Sequence, residues 1–414
     1  MTRVWRLALV QLFFTLSWTV YVIYLPGLFK RAGIDASMLP WLLIVDQLIF
    51  ATMDFYLGLW LDRGKQRLEK LGPWLIAAVA LACMLFASLP WLSSDAPSGV
   101  LIVAILLWVI CSSVLRVPPL FFMSRAVAAK QDDGKALSLG MAGYFFGIGV
   151  AGAAAPYLTI TLKNIDPAVP FIVASAALLV TTLALRPMLK VEPKPAATCK
   201  LTQVLIIDFK LALPLLLAVA LFAFGVKLHV ALNSAKYFTA VYPAAALEWL
   251  MPLFWVGFCI AMFPASEWLK RMAGTDEDDV MAQISSATQV LWGAGVCGGA
   301  ALVACLLAPS LPWLIAFQVL AGAAWAAVML AVFSAVNAMG KASAPSETGL
   351  WLGAALALMA MATAGRIALV LMMSGNANLS DFKLQLPWLT AVFWLLAAGL
   401  AFVFARAMQR KSGV

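Results

Sequence analysis

Six ionisable side chains sit in stretches of sequence that are otherwise apolar: Asp46, Asp54, Arg116, Lys227, His229 and Arg366, with Lys236 closer to the end of its stretch. An ionisable group in hydrocarbon costs about 3 kcal/mol on insertion scales, so each is expected to find a partner, to face a wet cavity, or both. The cations Arg116, Lys227 and Arg366 outnumber the carboxylates Asp46 and Asp54 even with His229 neutral. Such a set favours an anionic or hydrogen-bonding polar ligand over a lipophilic cation. Asp46, Asp54 and His229 are the groups that could take up and release a proton as their surroundings change. Trp18 and Tyr21, in the first apolar stretch, could line the same space, although stripes of this kind usually pack helices.

These groups need elements that hold them inside a membrane. Of 414 residues, 64% are hydrophobic and 11% charged, whereas a soluble domain carries about 25% charged residues to dress its surface. Mean hydropathy is +0.97. A span takes about 20 largely apolar residues, and twelve are expected: 5–28, 38–61, 73–93, 99–124, 136–161, 167–188, 211–235, 247–269, 288–308, 311–337, 348–374 and 386–407. They should be α-helices, because backbone in lipid must satisfy its own hydrogen bonds. Five Pro-Trp pairs, at Pro40, Pro73, Pro90, Pro312 and Pro387, are expected at span ends. Proline suits a first helical turn and tryptophan the headgroup layer. The fold class is an all-α polytopic membrane protein of two pseudo-symmetric six-helix bundles. Residues 1–189 and 211–414 form the bundles, and the basic stretch 190–210 links them.

Twenty Lys and Arg residues fall on the side where the chain begins and four, Lys30, Arg31, Lys163 and Lys383, on the other. That bias places both termini in the cytoplasm and the chain in the inner (plasma) membrane. The net charge of +9 is split into short clusters between spans, so it orients the chain and offers no nucleic-acid surface. Arg3 and Arg6 precede an apolar run with no small-x-small cleavage site, so that run reads as an uncleaved first helix. Six cysteines lack metal-ligand spacing, and no disulfide is expected. Without a phosphate-binding loop there is no nucleotide hydrolysis of that kind. Eighteen methionines without paired histidines read as core rather than as a copper site. No cofactor, metal or catalytic residue is expected.

Depth follows from helical rise. Asp54 lies eight residues from Asp62, about 12 Å, and Arg116 nine residues from Arg125, about 13 Å, from the same surface. The two are a plausible buried pair. Lys227 and His229 stand about 200° apart around a helix, so only one can face a cavity. Pro118-Pro119 beside Arg116 interrupts backbone hydrogen bonding and suits a bend. Leu139-Gly140 and Gly152 recur as Leu352-Gly353 and Gly365, 213 residues later, which favours duplication and a site between the halves.

The stretch Asp54-Phe-Tyr-Leu-Gly58-Leu-Trp-Leu-Asp62-Arg63-Gly64-Lys65-Gln66-Arg67 resembles the Gly-x-x-x-Asp-Arg-x-Gly-Arg-Lys/Arg loop of the major facilitator superfamily. With Asp54 included it resembles the form in that superfamily's sugar–cation symporters. Gly64 and Gln66 depart from the pattern, and the symmetry-related loop 265–271 is more degenerate. The resemblance implies a cytoplasmic gate at Gly58, Asp62 and Arg63, separate from the substrate site. With the residues above it leads to a proton-coupled symporter that moves a small anionic or polar metabolite by alternating access. Arg366, Arg116, Lys227, Trp18 and Tyr21 would then bind substrate, and Asp54, Asp46 or His229 would carry the coupling proton. The partners would be the substrate, protons or another cation, and the bilayer, with the chain a monomer. An exporter of drugs or metabolites by proton antiport is the rival on the same fold. A membrane enzyme would need clustered His, Asp or Glu near an interface, and a sensor would need a long cytoplasmic extension; neither feature is present.

Overall fold

The computed structural model describes residues 3–63, 68–127, 133–186, 209–273, 280–343, 347–374 and 380–412. The expected linker lies outside them except for its last two residues, as do residues 64–67 of the loop motif and the acidic run 276–279. Regular structure among the described residues is entirely helical. The first half comprises α1 (Arg3–Arg31), α2 (Leu39–Asp62), α3 (Leu68–Asp95), α4 (Ser98–Ser112), α5 (Val117–Val127), α6 (Asp133–Thr161) and α7 (Ala168–Leu183). The second comprises α8 (Phe209–Leu228), α9 (Ser234–Val241), α10 (Leu253–Ala273), α11 (Val280–Leu307), α12 (Leu311–Ala342), α13 (Thr348–Ser374) and α14 (Ser380–Ser412). α4 with α5, and α8 with α9, make one interrupted span each. Among the described residues eleven stretches are long and apolar enough to cross a membrane, and α7 adds a shorter apolar helix of 16 residues. The twelve-span fold is therefore present as two six-span bundles.

Large apolar side chains such as Val173, Val180 and Ile260 are exposed on the outer surface, as a protein solvated by lipid rather than water requires. All five Pro-Trp tryptophans are exposed. Only Pro40 and Pro312 open a helix, whereas Pro73, Pro90 and Pro387 lie inside α3 and α14. Those helices run past their apolar cores into the polar layer, where hydropathy gives no signal.

Within the first half α1 packs on α6 and α7, and α3 on α4 and α7. In the second, α11 and α12 form the central pair, with α10 and α14 against them. Between halves, α2 against α13 is the most extensive helix contact in the molecule, and α6 against α10 is the next across that boundary. α1 makes no comparable contact with α8. Below, the near side is the one where α1 begins, α2 ends and α13 begins.

The α2–α13 seam is built on glycine. A Cβ at Gly58 would overlap the Gly349 carbonyl, one at Gly349 would lie 2.5 Å from the Gly58 oxygen, and one at Gly353 would overlap the Asp54 carbonyl. Only glycine lets two backbones approach this closely in a helix pair. The glycine pairs that repeat at a 213-residue offset do not make equivalent contacts. Gly140 backs onto Met123 of its own half, while Gly353 meets α2 across the boundary. Gly152 meets Trp255 across the boundary, while Gly365 faces Phe224 of its own half. The duplication survives in topology and not in these contacts.

Candidate functional site

α2 ends at Asp62, and α13 begins at Thr348 with first-turn N–H groups that have no intrahelical acceptor. Asp62 accepts from both: Gly349 N donates to Oδ1 at 2.9 Å and Leu350 N to Oδ2 at 2.7 Å. The carboxylate also complements the positive end of the helix dipole. This charge–helix contact ties the two halves together beside the glycine seam on the near side. Arg63, the next residue, is exposed. The pseudo-equivalent crossing of α6 and α10 is joined by a hydrogen bond between the Ser138 and Ser266 side chains and by Gly149 against Phe258 and Cys259.

Farther in, the fourth span breaks. Ser112 and Ser113 turn their hydroxyls back to the carbonyls of Val109 (3.1 Å) and Ile110 (2.6 Å), a side-chain competition that ends helices. α5 starts with Pro118 and Pro119 in its first turn, where missing N–H groups cost nothing. Arg116 sits at the break, its carbonyl accepting from the Tyr144 hydroxyl at 3.3 Å. Its side chain crosses to α2. Nη2 lies 2.8 Å from Asp54 Oδ2, and Nε donates to both Asp54 oxygens at 3.0 and 2.9 Å. The guanidinium stands 4.8 Å from the Phe50 ring centre. Asp54 is fully buried, whereas Arg116 keeps 18% of its side chain exposed. Nη2 also reaches the Leu356 carbonyl of α13 at 3.4 Å. The pair therefore belongs to the floor where the halves meet. Asp54 and Leu356 each lie eight residues, about 12 Å, from the near ends of α2 and α13.

A second tier lies deeper. On the first half the Tyr21 hydroxyl donates to Asp46 Oδ2 at 2.9 Å. Both residues are fully buried, and Asp46 Oδ1 has no partner. No cation pairs with Asp46 among the described residues. Trp18 stacks on Trp108, with centroids 5.6 Å apart and planes at 17°, and Trp108 stacks on Phe86 at 4.7 Å. Trp18 also meets Phe50 at 5.3 Å, so the aromatic wall runs down to the cation–π contact of the lower tier.

On the second half Lys227 and Arg366 each lie eighteen residues into α8 and α13, about 27 Å from the near ends. Asp46 and Tyr21 are at about 24 and 27 Å on their own helices. α8 packs along α13, and Gly365 approaches Phe224, one turn before Lys227 on the same helix face. Lys227 is thus within electrostatic reach of Arg366, and also of Arg116 across the boundary. Both Lys227 and Arg366 are half-buried, and neither has an acidic partner among the described residues. The second half supplies no deep carboxylate to either.

His229 takes the opposite face. It is fully buried inside the second bundle, with Nε2 3.0 Å from Gln318 Oε1 of α12 and its ring 5.5 Å from that of Phe254. Residues His229–Asn233 form a π-turn between α8 and α9, so one additional residue is accommodated there. Asn233 Nδ2 then reaches Thr390 Oγ1 at 2.9 Å. The structure brings Arg116 to Asp54, Tyr21 to Asp46 and Lys227 near Arg366, and it leaves His229 apart from all of them. Phe50, Tyr144 and Gln318 complete these contacts and were not singled out from sequence. Gln318, a lone amide in an apolar span, carries a signal of the kind that marked His229, while Tyr144 carries none.

A separate cavity of about 530 Å³ opens between α6 and the far ends of the seventh and eighth spans, lined by Gly152, Pro156, Val230, Met251 and Trp255, with Glu248 among its lining. It contains none of the deep charges.

Two helical bundles that close on one side, with deep cations that have no acidic partner among the described residues, are the architecture of a secondary transporter. The chain belongs to the Major Facilitator Superfamily, whose model matches residues 7–354. Among solved structures it is similar to a bacterial homologue of the iron transporter ferroportin in an outward-facing state, with 15% identity over 98% of this chain and 100% of that one and a TM-score of 0.64. It is similar to the human organic anion transporter MFSD10 (TETRAN), at 16% identity over 98% of each chain and a TM-score of 0.61. It is also similar to the transporter FucP in the outward conformation, at 14% over 99% of each chain and a TM-score of 0.63. At these identities the likeness is one of fold. No curated protein matches.

Proposed function

We propose that the chain is a proton-coupled secondary carrier of a small anionic or polar metabolite, working by alternating access in the inner (plasma) membrane. The observation that carries this reading is the pair of unpaired, half-buried cations, Lys227 and Arg366, at one depth in the second half. Two bare cations in a membrane interior are sustained by water and by a ligand of opposite sign. The excess of Lys and Arg on the near side supports a cytoplasmic near side, with both termini there. The α2–α13 seam and Asp62 then latch the cytoplasmic face, and the chain is in an outward-facing state.

Asp46 is the favoured proton carrier. Among the described residues it has Tyr21 as its one hydrogen-bond donor, a second oxygen without a partner, and no cation to hold it ionised. Asp54 is committed to Arg116 and serves the floor between the halves.

The test is uptake of a panel of labelled anions, polar neutrals and cations into proteoliposomes, with and without an inward proton gradient. Gradient-driven anion accumulation that Arg366→Gln abolishes is expected. Asp46→Asn should keep anion exchange and lose accumulation against a gradient. Uptake unaffected by Arg366→Gln, or confined to lipophilic cations, would overturn the proposal.

A further inference from the structure

We infer that the substrate of this carrier bears two negative charges, one received by Arg366 and the other by Lys227. This inference rests on the anion reading above and narrows it to a class.

The deep charges can be balanced residue by residue. Arg116 is answered by Asp54 through three contacts of 3.0 Å or less, and its remaining reach goes to the Leu356 carbonyl. Arg116 is therefore structural in this state and has little capacity left for a ligand. Asp46 is held by Tyr21 on the opposite wall, where it accepts a hydroxyl hydrogen and pairs with no cation among the described residues. His229 is turned into the second bundle against Gln318. What remains is Lys227 and Arg366, two positive charges on adjacent helices at equal depth, both half-buried and neither with an acidic partner among the described residues.

Two like charges at one depth on packed helices repel one another, and a monoanion would neutralise only one of them. A dianion neutralises both and converts their repulsion into two attractions. The side chains differ in a way that suits two acidic groups. The guanidinium of Arg366 is a planar fork matched to a carboxylate or phosphate edge, and the ammonium of Lys227 is a compact point charge that accepts any second oxyanion. The aromatic cluster of Trp18, Trp108 and Phe50 on the first half adds no acid. The shared chemistry is an oxyanion of charge minus two, which a short dicarboxylate or a phosphate monoester both supply.

The experiment is binding to the purified full chain at neutral pH, by thermal shift and calorimetry, with probes of matched size. Succinate, succinamate and succinamide carry two, one and no charges on one skeleton. Glycerol 3-phosphate against glycerol forms the phosphate arm. Succinate or glycerol 3-phosphate is expected to bind at least about tenfold tighter than succinamate, and the stronger of the two identifies the source. Lys227→Gln should remove that preference, lowering dianion affinity about tenfold and succinamate affinity by much less. Lys227→Arg should restore the preference, an outcome that a merely structural lysine would not produce. Equal binding of succinamate and succinate by the parent chain overturns the dianion inference and leaves the anion reading standing. Binding only of neutral or cationic probes overturns both, and binding of no probe overturns the dianion inference. Loss of preference in Lys227→Gln without its return in Lys227→Arg also counts against it.

Discussion

Replacing Asp62 by Asn should shift this protein towards a state open on the near side. Asp62 receives two backbone N–H groups at 2.9 and 2.7 Å from the other half of the molecule. A hydrogen bond to a charged group contributes about 1.5–3 kcal/mol and a neutral one about 1 kcal/mol. Asn keeps one carbonyl oxygen, so one bond becomes neutral and the other is lost. The charge–dipole attraction, about 0.3–1 kcal/mol at an exposed terminus, goes as well. Part of this loss is recovered from water once the near side opens, which leaves about 2 kcal/mol acting on the equilibrium. That corresponds to roughly a 30-fold change in the ratio of closed to open near side. The assay is electron–electron distance measurement between spin labels at Arg63 and Arg271, both exposed and on different halves, in a background without native cysteines. A second, longer distance population should appear in Asp62→Asn. An unchanged distribution, with transport also unchanged, would refute the claim that this carboxylate holds the two halves together.

Three further outcomes are expected. Arg116→Gln strands a fully buried carboxylate and should cost about 3–5 kcal/mol, read as a lower melting temperature, while Arg116→Gln with Asp54→Asn should recover much of it because no bare charge remains; equal losses in the single and double variants would contradict the pairing. Gly353→Val places a side chain on the Asp54 carbonyl and should block closure of the seam, so that transport fails and labels at Arg63 and Arg271 move apart while helical content by circular dichroism stays at the parent level; normal transport would refute the close approach. Asp35 lies in the far-side turn and accepts from Ser37 N at 2.7 Å. That backbone hydrogen bond holds its carboxyl below the usual carboxylate range, so the turn's added stability is present above the ordinary value and is lost as pH falls through the lowered one. Protection of the Ser37 amide, taken as its exchange rate relative to an unstructured amide at the same pH, should fall only in acid, and protection that is insensitive to acid would contradict the contact.

Much of the architecture was legible because a bilayer forces long apolar runs into helices and sorts basic residues by side. The Asp54–Arg116 pair was also within reach, since equal depth from two near-side landmarks brings opposite charges to one level. The same arithmetic links Tyr21 to Asp46, but here one partner is an uncharged phenol, so no charge imbalance pointed to it. Whether Lys227 or His229 faces the cavity was undetermined from sequence, because helix rotation depends on what each face meets. Gln318 and Phe254 take the histidine, and α13 takes the lysine side. The π-turn at His229–Asn233 carries no local signal, since its fifth residue is accommodated by contacts with α12 and α14. Pro73, Pro90 and Pro387 misled because helices extend beyond the hydrocarbon that hydropathy detects.

The glycine seam and the Asp62 contact act over different ranges. Backbone pressed on backbone is held by dispersion, and a gap of about 0.5–1 Å already forfeits a quarter to a half of each contact. No long side chains bridge the glycine positions as they part, so the seam lets go abruptly rather than stretching. A carboxylate facing a helix terminus weakens more gradually than dispersion over the first few ångströms of separation, until water and salt screen it beyond about one helical turn. On the proposed gating role, closure of the near side would be steered over its last few ångströms by one charge and made firm only at the last ångström by surfaces without side chains. Such a gate would spend little time half shut, which is the property a carrier needs if its two sides are never to be open together.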